Sequence, residues 1–253
     1  MFYPTHLHFT RQQIAELTGV SDEILAFWLK HQLLVTNGDA VSGRGRHKRF
    51  GYVQIHIAAI LNQLRNFGVN ISGLRSVSEI LQAAVKTGER VVTDELRRSD
   101  CLHHATHFEN VSQEYLHGKK RSESKEIGSE WRECDTFDEW FATYVEKHSY
   151  DPALNDAIAL YNTLKPGEGR LIGLYVDLTN SGHFQRGADG GRGWDEYVFS
   201  IAPSSKGEWL LVAYEEDTSS LKEWMAEPPS YISIRVSKLI RDIWQPKKSQ
   251  TAY

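Results

Sequence analysis

The feature that most constrains this chain is a pair of helix starts near its beginning, with a glycine between them. Thr10-Arg11-Gln12-Gln13 is a capping box. The Thr10 hydroxyl can take the Gln13 amide proton while the Gln13 side chain reaches back to the Thr10 amide. Phe9 and Ile14 stand at the two positions of a hydrophobic staple. This helix is expected to run to about Leu17 and stop at Thr18-Gly19, because glycine accepts positive φ. Ser21 then caps a second helix, with Asp22 and Glu23 in its first turn, where carboxylates oppose the positive helix end. Val20 and Leu25 repeat the staple. Two short helices joined by a tight turn containing glycine make a helix-turn-helix.

The second helix is expected to end near Gln32, followed by a short extended segment, Leu33-Leu34-Val35, and the turn dipeptide Asn37-Gly38. The run Ser42-Gly43-Arg44-Gly45-Arg46-His47-Lys48-Arg49-Phe50-Gly51 reads as a hairpin or wing with a cationic tip. From Val53 the apolar residues Ile57, Ile60, Leu61, Leu64 and Phe67 recur at helical spacing up to Gly68. Asn70 can cap a further helix, with Leu74, Val77 and Leu81 on its buried face and Gly88 as its stop.

These residues, in this order, resemble the start of MerR-type winged helix-turn-helix regulators over about residues 8–85. The resemblance is carried by Phe9-Thr10, Ile14-Ala15-Glu16-Leu17-Thr18-Gly19-Val20-Ser21 and Leu25, by Leu33-Leu34, by Gly45 to Phe50 as the basic wing, and by Phe67-Gly68-Val69-Asn70. It implies a second helix seated in the major groove, with wings and helix ends on phosphates and two subunits on adjacent half-sites. The DNA-contacting residues it implies are Ser21, Lys30, Arg44, Arg46, His47, Lys48 and Arg49. Four of these, Arg44, Arg46, Lys48 and Arg49, place permanent charges within six residues. Such groups release counterions from phosphates and can grip phosphate oxygens bidentately. Departures from the family pattern are Glu23 and Ala26, where its members usually carry arginines. Phe27-Trp28 also replaces a usual pair of tyrosines, and without a hydroxyl Phe27 is expected in the core beside Trp28. Glu23 is read mainly as helix-end electrostatics, with acceptance of a cytosine N4 proton as the alternative.

Charge supports a separate head. Residues 1–85 hold 8 Lys+Arg against 5 Asp+Glu, whereas residues 131–253 hold 13 against 19. A basic amino-terminal part on an acidic remainder is the distribution of a nucleic-acid-binding head on another body. Two cysteines provide no disulfide framework, and no apolar run reaches the roughly 18 residues of a membrane helix. The first residues lack a secretory signal, so a cytoplasmic protein is expected.

Residues 91–117 do not sustain the heptads of a pairing helix, and Gly118 to Lys125 reads as a solvated linker. The remainder holds six of the seven tryptophans, enough for a second core. It reads as helices at Phe137–Lys147 and Pro152–Leu164, a buried strand at Leu171–Leu178, and a pair of strands at Tyr197–Ala202 and Trp209–Tyr214. An alternating strand at Tyr231–Val236 follows, then a helix capped by Ser237 and reaching Trp244. The expected fold is α+β in three parts: a winged helix-turn-helix at 1–88, a helical linker at 89–133, and a small α+β domain at 134–253 serving dimerisation or effector binding. The strand at Tyr231–Val236 and the terminal helix suit either a dimer interface or an intramolecular core.

Cys101, His103 and His107 are the metal-ligand candidates, His103 and His107 one turn apart, but no C-x-x-C accompanies them and a polar helix surface is the plainer reading. No metal or other cofactor is expected. The glycine-rich run Asn180 to Gly193 lacks phosphate-loop spacing, and no nucleophile stands with a base, so no enzyme is expected. Tyr175, Trp194, Tyr197 and Trp209 suit a core or, less readily, an effector pocket. Together these features predict a DNA-binding transcriptional regulator that acts on double-stranded DNA as a homodimer. The alternative is a ligand-sensing or protein-interaction module whose head no longer reads DNA.

Overall fold

The computed structural model describes residues 8–36, 48–93, 101–116, 134–180, 198–203, 209–214 and 232–244. The chain packs as two units, one formed by residues 1–83 with 176–253 and the other by residues 84–175. This division differs from the expected linear one, because the carboxy-terminal sheet and helix pack with the head.

In the first unit, helix α1 (Arg11–Thr18) has the expected capping box. The Gln13 amide donates to Thr10 Oγ1 at 3.3 Å and the Thr10 amide to Gln13 Oε1 at 2.8 Å. Gly19 closes the helix at φ 71°. Helix α2 (Asp22–Lys30) starts on Ser21, whose hydroxyl accepts from the Ile24 amide. Its exit turns through Gln32 at φ 60°, a left-handed position occupied by a side chain that disfavours it. Helices α3 (Tyr52–Asn66) and α4 (Ile71–Val91) follow, separated by Gly68 at φ 86°. Asn70 Oδ1 accepts from the Gly73 amide, as an N-cap should. Ahead of α3, Phe9 and Phe50 exchange both backbone hydrogen bonds at 2.9 Å, a single antiparallel bridge.

The remaining part of this unit is a three-stranded antiparallel sheet and a last helix. Strand β1 (Val198–Pro203) is central, between β2 (Trp209–Tyr214) and β3 (Ile232–Arg235). The β1–β2 pairing matches the expected hairpin, with Val198 opposite Tyr214 and Pro203 opposite Trp209. Helix α9 (Val236–Trp244) begins one residue before the expected cap: Ser237 is buried within its first turn rather than capping it. Ile234, Val236 and Ile240 are buried and α9 packs on α1 and α3, so of the two roles open to these residues the core role is the one they fill.

The second unit contains α5 (Cys101–Leu116), α6 (Phe137–Lys147), α7 (Leu154–Tyr161) and the first part of α8 (Glu168–Asn180). The strand expected at Leu171–Leu178 is therefore a helix. A short apolar run does not distinguish the two by itself, and the helix start decides it. The buried Glu109 carboxylate accepts from the Gly167 amide at 2.5 Å, and Glu168 accepts from the Lys165 amide. Both place negative charge at the positive end of α8. Gly88 is likewise a packing seat rather than a helix stop. A Cβ there would lie 2.0 Å from Tyr175 Cγ, and α4 continues past it to Val91. Tyr175 is buried in this contact as a core residue.

Candidate nucleic-acid interface

The interface is built on a small apolar core. Ile14 of α1, Val20 of the turn, Leu25 and Trp28 of α2, and Leu33-Leu34 beyond it are all buried. They fix the opposite side of α2 outward. Arg11 also bridges the two helices, with Nε 2.6 Å from Asp22 Oδ1 and Nη2 2.8 Å from Oδ2. An exposed pair of this kind adds little stability, but it occupies the Asp22 carboxylate. The outward side of α2 then carries Glu23, Phe27 and Lys30, all exposed.

Phe27 overturns one sequence expectation. Its neighbour Trp28 is only 1% exposed, as expected, whereas Phe27 is 44% exposed. The register explains it: Leu25 and Trp28 share the buried face at a spacing of three, and a residue one position from Trp28 is rotated about 100° away. The Phe27 ring packs on His31, with centroids 4.2 Å apart, and His31 Nδ1 lies 3.5 Å from Nη2 of Arg75 on α4.

Of the sequence-derived contact residues, Ser21 is engaged as the helix cap, and Lys30 is exposed in the last turn of α2. Lys48 and Arg49 are exposed directly before Phe50, which is buried and bridged to Phe9. Arg44, Arg46 and His47 lie outside the described residues. Arg75 is a further cation at this surface that the sequence reading missed. Leu74, Val77 and Leu81 form the buried face of α4 and Arg75 is exposed, and only tertiary structure brings it to His31.

Helix α3 contains a buried histidine. His56 of α3 has Nδ1 2.7 Å from the Leu178 carbonyl oxygen, and the Trp244 indole Nε1–H donates to its Nε2 at 2.7 Å. A carbonyl only accepts and an indole N–H only donates, so the ring is neutral and protonated on Nδ1. Burial pushes its pKa down to about 4, partly countered by the Leu178 bond. The Trp244 ring also meets Phe9 edge-on at 5.8 Å, which joins α9 to the bridge between Phe9 and Phe50.

Cys101 is buried, His107 packs its ring against Trp140 and Tyr144, and the His103 side chain lies outside the described residues. Among the described residues no three metal-type ligands converge. Nearby, His104 bonds Tyr144 Oη and Asp151 Oδ2 at 2.9 Å each. The His104 bond, with the Ala153 amide, holds the Asp151 carboxyl below its usual range. The glycine-rich run 180–193 lies outside the described residues except for Asn180 at the end of α8. So do Trp194 and Tyr197. Among the described residues no helix is long and apolar enough to cross a membrane.

These elements define a helix-turn-helix head with exposed cations on α2 and α4 and at Lys48 and Arg49, the class of a nucleic-acid-binding domain. The family model for the MerR HTH family regulatory protein matches residues 9–81, less than a third of the chain. That segment is a MerR-type helix-turn-helix region, of a family of DNA-binding transcription regulators. No curated protein matches the chain.

Proposed function

We propose that this protein is a sequence-specific transcription regulator that binds double-stranded DNA as a homodimer in the cytoplasm. Helix α2 enters the major groove, as second helices of helix-turn-helix domains do. Lys30, Arg75, Lys48 and Arg49 contact flanking phosphates, joined by Arg44, Arg46 and His47 of the wing, and Ser21 orients the start of α2. The reading is supported by the outward side of α2, which is held by a buried core on its other side and carries Lys30, with Arg75 of α4 beside His31 and with Lys48 and Arg49 exposed. The acidic Glu23 motivates the second reading, a protein-interaction or ligand-sensing head that no longer reads DNA.

Binding of the full chain to DNA from its own upstream region, with Arg46→Ala and Arg49→Ala beside the parent, separates the two. Phosphate contacts predict that each variant weakens binding to all sequences and lowers the salt slope by about 1. Variants that bind like the parent would remove the wing from the interface. Equally weak, salt-insensitive binding by all three would favour the second reading.

A further inference from the structure

The outward stripe of α2 is chemically selective. Glu23, Phe27 and Lys30 stand at i, i+4 and i+7, within one narrow arc of the helix. The other polar groups of the first turn are engaged: Ser21 Oγ accepts from Ile24, and Asp22 is held by Arg11. Glu23 is exposed, with no ion-pair partner among the described residues. An ionised carboxylate only accepts protons. In the major groove it is repelled by guanine O6 and N7 and by thymine O4, and it is matched by cytosine N4–H2. Adenine offers an amino group too, but with the N7 lone pair beside it. Phe27, one turn on, offers no hydrogen bond, and its ring is supported by His31 rather than loose. A phenyl ring gains by covering the thymine C5 methyl group, the one apolar feature of the groove edge. The two side chains are about 6 Å apart along the helix axis, a span of one to two base pairs.

We infer that α2 reads cytosine with Glu23 and, within two base pairs of it, the methyl group of thymine with Phe27. This rests on the DNA-binding function proposed above and adds to it the base identities. It also gives Glu23 a positive role: the carboxylate lowers affinity for phosphate everywhere and recovers it only where cytosine is present.

The experiment is selection from a randomised duplex pool by the full-length protein, by Glu23→Gln and by Phe27→Ala. Both positions are exposed, so the variants keep the fold, which circular dichroism checks. The parent is expected to enrich a core containing cytosine and thymine. Glu23→Gln should replace the cytosine by adenine, because a carboxamide pairs with adenine N6 and N7. Phe27→Ala should lose the thymine preference. Replacing that thymine by uracil should weaken the parent by about fivefold or more and leave Phe27→Ala unchanged. A merely electrostatic role for Glu23 would change affinity for all sequences together and leave the preferred bases as they were. If the parent selects a sequence and both variants select the same one, the inference is overturned while DNA binding stands. If the parent selects nothing, the proposed function fails and takes the inference with it.

Discussion

Helices α2 and α3 belong to the same packed unit and follow each other in the chain, yet they are used in opposite ways. In α3 every residue from Tyr52 to Leu61 is buried, including Gln54 and His56. In α2 only Leu25 and Trp28 are. A helix enclosed on all sides must find partners for its polar groups, and Gln54 and His56 of α3 do so with fixed hydrogen bonds. Gln54 Oε1 accepts from the Val35 amide while its amide group bonds Gln82, and His56 joins Leu178 to Trp244. A helix held along one stripe leaves its other side for a ligand. The two helices therefore separate what holds the head together from what it leaves open to a ligand.

The widest test of that separation lies within α2, between adjacent aromatics. Trp28→Ala should cost about 3–5 kcal/mol, the range for a large side chain removed from a packed core. Phe27→Ala should change stability by less than about 0.5 kcal/mol, as exposed substitutions do. Urea unfolding of both variants measures the contrast, and similar losses at the two positions would erase it.

A second test acts on α3 through pH. His56 has its folded pKa lowered to about 4 from 6.5. The unfolded chain therefore binds the proton more readily, and stability is fully present above about pH 6.5. It is lost as pH falls through 4, by roughly 3 kcal/mol in all for this group. His56→Gln should flatten that part of the profile in denaturant melts between pH 7 and 4, and an unchanged profile would show that His56 does not govern it.

Smaller effects sharpen the boundary of α2. Gln32→Gly relieves a left-handed residue and should stabilise the head by roughly 0.5–1 kcal/mol, the left-handed cost less the added chain entropy. Lys48→Ala should leave stability within about 0.5 kcal/mol and lower the salt slope of DNA binding by about 1. A loss of stability instead would assign Lys48 to the scaffold.

The sequence made the local devices of the head legible because each is short and self-contained. The Thr10 capping box, Gly19, the Ser21 cap and the β1–β2 pairing all stand where their residues place them. What escaped depends on distant partners. Leu171–Leu178 has the composition of a strand, but Glu109, some sixty residues earlier, supplies charge at the start of a helix there. Gly88 looked like a stop because nothing local reveals Tyr175 lying against it. Phe27 was assigned to the core from residue type, when the register set by Leu25 and Trp28 already turned it outward. Arg75 needed His31, and His56 needed Trp244. The candidate interface was thus legible in its secondary structure, and not in the composition of the surface that α2 presents.

The proposed function makes the outward side of α2 a DNA-reading surface. The most direct test is equilibrium binding of the full-length protein to its selected duplex and to a shuffled duplex, over a range of salt concentrations. A DNA-reading α2 should show a preference of roughly a thousandfold for the selected duplex, with affinity for both falling linearly on logarithmic axes as salt rises. Equal affinity for the two duplexes, or binding indifferent to salt, would contradict it.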